Sequence, residues 1–354
     1  MNVLAFVPIL SVMMLVHELG HFITAKLFGI TVQEFGFGLP PRMFGFTYRG
    51  VVYSINWIPF GAFVKMLGEE DPTAPGSFAG KSRKVRAIVL AAGAAMNFLL
   101  AIVAFAIALM VGYPTISPTG PVRLAEVVTG TPAAESGLQA GDQITSLDGR
   151  PVNVDEFRTL TRDRADTPLR LGVRRGGSEV QVTATPRSNP PTGQGALGVR
   201  LDSNGVYQEA VGPALLSGVK QAGFAVGTTL MVPKLLMDGV ITPQDARPIG
   251  LPGMARVTGE ALDYVVDTGF WYPIFVLTGM FSAGLSVANL LPIPALDGGR
   301  LLFVFIEWVR GRRVEPEREA AYHFVGIVVL LALMVLISIN DITSPIPSVN
   351  WGLR

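Results

Sequence analysis

Two histidines and a glutamate inside the first apolar segment have the types and spacing that chemistry requires. His17-Glu18-Leu19-Gly20-His21 follows an uncharged run over residues 3–16, and the next charged side chain is Lys26. On a helix, imidazoles four residues apart lie on one face and can share a divalent metal, with the glutamate as general base for water. Such polar side chains cost several kcal/mol in a bilayer without partners. Their placement therefore predicts a metal site with Glu18 as the catalytic base.

The third metal ligand must come from a distant part of the chain. The sequence has no cysteine and three histidines, which leaves His323 or a carboxylate. The segment 289–299 holds two prolines and paired glycines that would break a regular helix, and such backbone is tolerated in a membrane where it lines a polar cavity. We favour Asp297 in this segment, with the fourth position left open as in catalytic zinc sites. The alternatives are that Asp297 caps a helix, or that His323 ligates although no motif surrounds it.

Composition indicates a membrane protein. The 354 residues are 49% hydrophobic and 16% charged, against roughly 25% charged in soluble domains, and the mean hydropathy is +0.45. The net charge of +1 gives no indication of nucleic-acid binding. The first apolar segment lacks a basic start and a cleavage site, so we interpret it as a retained transmembrane helix rather than a signal peptide.

Four spans are expected, and the basic residues predict their orientation. Uncharged stretches cover 87–122, 268–296 and, apart from His323, 320–340, in addition to the first segment. Lysines and arginines cluster between spans one and two and between spans three and four, which predicts that both of these loops are cytoplasmic. Both chain termini and the large region between spans two and three then lie outside. This orientation places the two motif histidines and Asp297 towards the same membrane face.

The regions between the spans differ in character. Residues 31–66 combine glycine, proline and aromatics with strand-like runs, which favours a β-hairpin or small sheet dipping towards the membrane. Residues 117–187 predict a compact soluble domain with strands at 122–128, 143–148, 169–174 and 180–184 and a helix at 155–163. Residues 208–238 predict amphipathic helix on the outer surface, or a helix packed on the soluble domain.

Taken together, the motifs resemble the site-2 protease family of intramembrane zinc metalloproteases, and most closely its bacterial RseP-type branch. The motif around Glu18 is followed by a distant Leu296-Asp297-Gly298-Gly299, and segments 35–40 and 58–69 are similar to the family's membrane-reentrant β-region. Segments 130–144 and 147–151 look like a PDZ domain of the bacterial protease type, and Pro248-Ile-Gly-Leu is similar to a further family segment. The similarity extends over nearly the whole chain.

The resemblance implies a fold and a set of roles. The expected fold is an α-helical polytopic membrane protein of about four transmembrane helices, with a membrane-associated β-region and one inserted extracytoplasmic PDZ-like α+β domain. The implied zinc ligands are His17, His21 and Asp297, with Glu18 as base and Asn289 and Asn97 positioning the substrate. In segment 93–97 the family usually has proline where this chain has Ala94, which weakens the role implied for Asn97. The expected boundaries are 1–30 (helix 1), 31–86 (β-region and basic loop), 87–114 (helix 2), 115–203 (PDZ-like domain), 204–267 (surface amphipathic segment), 268–300 (helix 3), 301–319 (cytoplasmic loop), 320–341 (helix 4) and 342–354 (tail).

By the same resemblance, the implied function is regulated intramembrane proteolysis of single-span membrane proteins in a bacterial inner membrane. Anti-sigma factors and remnant signal peptides are the substrates that it suggests. The PDZ-like domain either binds a peptide along the strand at 122–128 or acts as a size filter. The rival interpretations are a metal transporter, in which a glutamate between two histidines is rarely needed, and a silent membrane adaptor, which the intact set of four site residues disfavours.

Overall fold

The apolar stretches of the sequence form the long helices of the structure. The computed structural model describes residues 6–69, 71, 73–191, 193–349 and 351; residues 1–5 and 352–354, at the termini expected outside the membrane, lie beyond this range. The chain forms two units, the first containing residues up to Val111 together with Glu209–Val349 and the second Gly112–Gln208. The first unit contains α1 (Phe6–Leu27), β1 (Val32–Tyr48), β2 (Val51–Met66), α2 (Arg83–Val111), α5 (Val211–Met237), α6 (Leu251–Thr268), α7 (Tyr272–Ala288), α8 (Asp297–Arg310) and α9 (Pro316–Thr343).

Three helices in the described part of the chain are long and apolar enough to cross a membrane. They are α1, α2 and the segment Glu317–Thr343 of α9, and they correspond to three of the four expected spans. The remaining expected span, residues 268–300, is not one helix. α6 ends at Thr268 with Gly269 in the left-handed conformation, α7 has 17 residues, and a turn precedes α8. At 1.5 Å per residue α7 is about 25 Å long, shorter than the roughly 30 Å hydrocarbon core.

Residues 31–66 form a small sheet, as their alternation of strand-like and turn residues predicts. Residues 34–37 of β1 lie between residues 62–65 and residues 52–55 of β2, and residues 42–48 pair with 51–56. The two long strands therefore double back to give four segments in the order 62–66, 32–37, 51–56 and 42–48. Gly38 and Gly61, where the strands bend, have φ angles of +78° and +90°, which few other residues adopt.

The region 208–238 differs from the expected amphipathic surface segment. α5 is one continuous helix of 27 residues that packs against α2 and α7. Its buried face consists of Ala214, Gly218 and Ala222, and a Cβ atom on Gly218 would lie 2.6 Å from the Ile102 carbonyl oxygen. Large apolar side chains such as Phe224 are exposed on the same helix. α5 therefore packs through a face of small residues and leaves large apolar side chains exposed, whereas α6 is the amphipathic helix of this region.

The second unit has its own sheet and core. It contains β3 (Tyr113–Thr115), β4 (Val122–Val127), α3 (Pro132–Glu135), β5 (Gln143–Leu147), β6 (Arg150–Pro151), α4 (Val154–Asp163), β7 (Leu169–Arg175), β8 (Ser178–Ala184), β9 (Val199–Leu201) and β10 (Gly205–Tyr207). The four strands and the helix expected between 117 and 187 are confirmed within two residues at each end. The main sheet has the order β8-β7-β5-β4-β9, with every pair antiparallel. β4 is thus paired on both sides, so the expectation that a peptide adds to this strand is wrong.

Candidate metal centre

The motif on α1 brings two imidazoles and a carboxylate together, as its spacing predicts. The Nε2 atoms of His17 and His21 are 3.1 Å apart, and ligand atoms of both rings and of Glu18 lie within 4.8 Å of one another. The rings meet edge to face, with their centres 4.8 Å apart. The His21 side chain is 7% exposed and that of His17 12% exposed. These imidazoles are therefore largely withdrawn from the surface and aimed at one point.

The turn between α7 and α8 delivers Asp297 to the same point. Its Oδ2 atom lies 3.0 Å from His17 Nε2 and 3.2 Å from His21 Nε2. Asp297 is the first residue of α8, yet no side-chain hydrogen bond caps this helix. The Asp297 side chain therefore does not cap α8, which was the alternative to its role as a ligand.

A close backbone approach shapes this turn. The Gly298 N–H donates to the Asn289 carbonyl at 2.7 Å, and a Cβ atom on Gly298 would lie 2.0 Å from the Leu291 carbonyl oxygen. The first of the paired glycines is thus required by the turn that carries Asp297.

The three converging atoms fit zinc. Ligand atoms about 2.0 Å from one tetrahedral zinc are separated by about 3.3 Å, and the observed separations are 3.0–3.2 Å. Two imidazole nitrogens and one carboxylate oxygen also form a donor set of catalytic zinc sites, in which a fourth position stays open. His17, His21 and Asp297 are therefore the residues that would hold the ion.

The outer ring nitrogens have partners of the kind that orient metal ligands. His21 Nδ1 lies 2.8 Å from the Val89 carbonyl oxygen, which requires the proton on Nδ1 and leaves Nε2 to the metal. His17 Nδ1 lies 3.3 Å from the side-chain amides of Asn97 and Asn289. Asn97 Oδ1 is buried and lacks a hydrogen-bond partner in the described part of the chain. A neutral imidazole that binds a metal through Nε2 carries its proton on Nδ1 and needs an acceptor there. Rotating the Asn97 side-chain amide by 180° would place its Oδ1 atom at this position, as the acceptor for His17 Nδ1–H.

The small sheet contributes one contact to the base. The backbone of Val64 in β2 hydrogen-bonds to the Glu18 carboxylate. Nearby, a Cβ atom on Gly61 would lie 3.2 Å from the Met14 methyl carbon, and Ser11 donates to the Pro59 carbonyl at 3.3 Å. The end of β2 therefore runs along α1 beside the motif.

Two residues near the centre have contacts that the sequence interpretation missed. Gly93 of α2 faces both imidazoles, and a Cβ atom there would lie 2.5 Å from His21 Nε2 and 2.5 Å from His17 Cε1. His323 of α9 accepts a hydrogen bond at Nδ1 from the Ala295 N–H at 2.9 Å, so it holds the turn that precedes Asp297. The glycine at the start of segment 93–97 was a usable signal for the first contact, whereas no local pattern indicates the second.

Part of the chain is similar to solved structures. Among them are the PDZ domains of the SdrC-like proteins of Listeria innocua and Listeria monocytogenes, at 22% and 24% identity. They cover 23% and 25% of this chain and 92% of each structure, with a TM-score of 0.21 for both.

Matches to known sequences extend over almost the whole chain. A Clostridium perfringens protein whose name describes a zinc metalloprotease is 34% identical over 95% of this chain and 97% of its own length. Zinc metalloprotease RasP of Oceanobacillus iheyensis is 29% identical over 96% of this chain and 98% of its own length. Metalloprotease MmpA of Caulobacter vibrioides is 30% identical over 94% of this chain and 93% of its own length. Residues 5–333 match Peptidase family M50. With its converging histidines and carboxylates, the chain belongs to peptidase family M50, the site-2 protease family of zinc metalloproteases.

Proposed function

We propose that this protein hydrolyses peptide bonds within transmembrane segments of single-span membrane proteins, with His17, His21 and Asp297 as zinc ligands and Glu18 as general base. The observation that supports these roles is the convergence of the three ligand atoms within 3.2 Å, beside Glu18 on an apolar helix. A bound zinc ion would polarise the scissile carbonyl and activate water. Glu18 accepts the proton of the attacking water and passes it to the leaving amine.

Asn289 and Asn97 take a positioning role in this proposal. Both amides contact the outer nitrogen of His17. Holding this ring fixes the direction of its Nε2 atom, and such contacts to ligating histidines commonly tune metal affinity 10–100-fold. The same side-chain amide could instead turn towards the substrate and donate to a peptide carbonyl. One asparagine can therefore either orient His17 or bind substrate.

The small sheet supports a way to hold the substrate. A helical substrate must unwind before cleavage, because its carbonyls are otherwise hydrogen-bonded within the helix. Residues 62–66 form an outer segment of the sheet, and Val64 in this segment contacts Glu18. An unwound substrate strand added to this edge would gain main-chain hydrogen bonds and lie beside the base.

The second unit supports a peptide-docking role. β9 is an edge strand, and a cavity of about 590 Å³ lies beside it, with Phe157 and Thr161 of α4 among its lining residues. Four arginines line the same cavity: Arg158, Arg162, Arg187 and Arg200. A strand edge, an apolar pocket and a basic rim suit an extended peptide that carries carboxylates. The alternative is that the second unit acts only as a size filter. In that case, substitutions in this cavity should leave cleavage unchanged.

The proposed location is a bacterial inner membrane, with the second unit and both termini on the outer side. The support is the distribution of basic residues in the loops between the expected spans. On this orientation a substrate helix enters sideways from the bilayer, after another protease has trimmed its external part.

Cleavage of a tagged single-span substrate by wild type and Glu18→Gln, with bound zinc quantified in both, tests the proposal. We expect zinc in both proteins and cleavage by wild type alone, because the amide cannot accept the proton. Asp297→Asn is expected to lose zinc as well as activity. Residual cleavage by Glu18→Gln at the wild-type rate would refute the role of Glu18. Zinc in both proteins, with no cleavage of any of several single-span substrates by wild type, would favour the transporter or adaptor interpretations.

A further inference from the structure

A basic cleft lies where α2 begins and α8 ends. It encloses about 670 Å³ and is lined by five basic side chains and one carboxylate, together with Ala79, Gly80, Ser82 and Trp308. The basic residues are Lys81, Arg83, Lys84, Arg86 and Arg313, and the carboxylate is that of Glu307. The lining therefore carries a formal net charge of +4.

The single carboxylate does not neutralise the cleft. Glu307 already pairs with Arg86 at 2.5 Å, with Arg83 at 3.4 Å and with Arg313 at 3.5 Å. Among the residues that the structure describes, Lys81 and Lys84 have no carboxylate within 4.0 Å. The Arg86 side chain is 8% exposed, and its Nε–H has no hydrogen-bond partner in the described chain. The buried Arg86 Nε–H lacks an acceptor among these residues, and the two lysine ammonium groups beside it are available to pair with an anion.

The surroundings of the cleft indicate what kind of anion fits. The backbone N–H groups at the start of α2 add partial positive charge, which suits a phosphate group. Exposed apolar side chains continue from the basic ones: Ile88 lies four residues after Lys84 on the same face of α2, and Trp308 and Val309 are about two-thirds exposed. α2 is also a candidate membrane span. A charged headgroup followed by acyl chains matches this sequence of polar and apolar surface.

We propose that this cleft binds the phosphodiester headgroup of an anionic phospholipid, with Lys81, Lys84 and Arg86 as its main contacts and the acyl chains along Ile88 and Trp308. The site is separate from the proposed zinc ligands, and its basic residues belong to the loop whose charge served above only to predict the orientation of the spans. Basic pockets between membrane helices bind anionic lipids by the same chemistry.

Native mass spectrometry of the full chain in neutral detergent, titrated with phosphatidylglycerol or phosphatidylcholine, tests the proposal. We expect one phosphatidylglycerol to bind wild type more tightly than phosphatidylcholine does. The double variant Lys81→Gln/Lys84→Gln should weaken this binding about thirtyfold, given the usual contribution of two cations near an anionic surface. Inorganic phosphate at equal concentration should not displace the lipid, because it lacks acyl chains.

The matched control is Arg310→Gln/Arg312→Gln, which removes two exposed cations near the cleft that do not line it. Zinc content of both double variants reports on folding. Equal weakening by the two double variants would show a general charge effect and overturn the site. Equal binding of phosphatidylcholine, or displacement by inorganic phosphate, would overturn the anionic lipid as its occupant.

Discussion

At the scale of single residues, the metal centre depends on atoms that are not ligands. His21 is oriented by a backbone carbonyl and His17 by two amides, and Gly93 provides the space in which the two rings meet. The motif on α1 supplies two of the three expected ligand atoms, and residues of α2 together with Asn289 at the end of α7 orient them. Substitutions in these neighbours should therefore act on zinc binding.

Gly93→Ala is expected to lower zinc affinity by about 100-fold and to abolish cleavage. Its Cβ atom would lie 2.5–2.6 Å from ring atoms of both histidines, and these rings have little room to move. Competition with a chelator measures the affinity directly. Gly284→Ala on α7 is the matched control, because a Cβ atom there would meet no neighbouring part of the protein within 4 Å. Wild-type zinc affinity in Gly93→Ala would show that the rings adjust and that this glycine is not required.

At the scale of elements, α9 holds the turn that carries Asp297. Tyr322 donates to the Pro292 carbonyl at 3.3 Å, and a Cβ atom on Gly326 would lie 1.9 Å from Cβ of Pro294. His323 accepts from Ala295, whose φ of +69° is unfavourable for a residue with a side chain. One face of α9 thus fits the turn closely and stabilises its strained residue.

Removal of the His323 acceptor should loosen this turn and displace Asp297. His323→Leu is expected to lower kcat and zinc affinity about fivefold, the effect of losing one hydrogen bond worth about 1 kcal/mol. His323→Asn, whose side-chain oxygen can replace Nδ1 as acceptor, should restore most of both quantities. Phe324→Leu at an exposed neighbouring position serves as control. If the leucine and asparagine variants lose zinc affinity equally, the imidazole acts by its shape and not as an acceptor.

A second attachment fixes the other end of α9. The buried carboxylate of Asp341 accepts hydrogen bonds from the Gly250 N–H at 2.8 Å and the Gly253 N–H at 3.0 Å, at the start of α6. This contact accounts for a glycine in the Pro248-Ile-Gly-Leu segment, since a Cβ atom on Gly250 would lie 3.0 Å from the same carboxylate. α9 therefore links the amphipathic helix α6 to the turn at the metal centre.

At the scale of the whole molecule, the sequence indicates the metal site better than it indicates the packing around it. Residue types and spacing pointed to His17, Glu18, His21 and Asp297, whose chemistry is unusual in an apolar context, and the structure brings these side chains together. The helical character of α5 was expected, but not its packing, since Gly218 and Ala222 give no local signal of a partner. The irregular backbone expected at 289–299 in the third span is present as the turn between α7 and α8. Hydropathy does not show that the helix before this turn has only 17 residues.

The structure of the second unit depends mainly on residues within its own part of the sequence. Its core consists of buried residues from its own strands and helices, among them Leu124, Ile144 and Leu171. Asp142, at the end of the segment that resembles a PDZ domain, receives two hydrogen bonds of 2.7 Å from Arg175 and one of 2.9 Å from the Gln139 N–H. Its side chain is 1% exposed. This ion pair fastens the loop before β5 to β7.

The same ion pair should make the stability of the second unit depend on pH. Burial alone would raise the pKa of Asp142, but the hydrogen bonds from Arg175 and Gln139 outweigh it and hold the pKa below its ordinary value. A carboxyl with a lowered pKa stabilises the fold above the unfolded value of about 3.9, and this contribution is lost as pH falls through the folded pKa. Asp142→Asn should therefore cost about 2 kcal/mol at pH 7 and less at about pH 3.

Urea unfolding of residues 112–208, produced as a separate protein, measures this cost at both pH values. The independent core of the unit predicts that this fragment folds by itself. Thr161→Val provides the control, because its hydroxyl bonds to the Phe157 carbonyl and carries no charge, so its cost should be the same at both pH values. If Asp142→Asn lowers the free energy of unfolding equally at pH 7 and pH 3, the charge on Asp142 does not contribute to stability. The smaller cost that we expect in acid would instead identify the charge on Asp142 as the source of its stabilising effect.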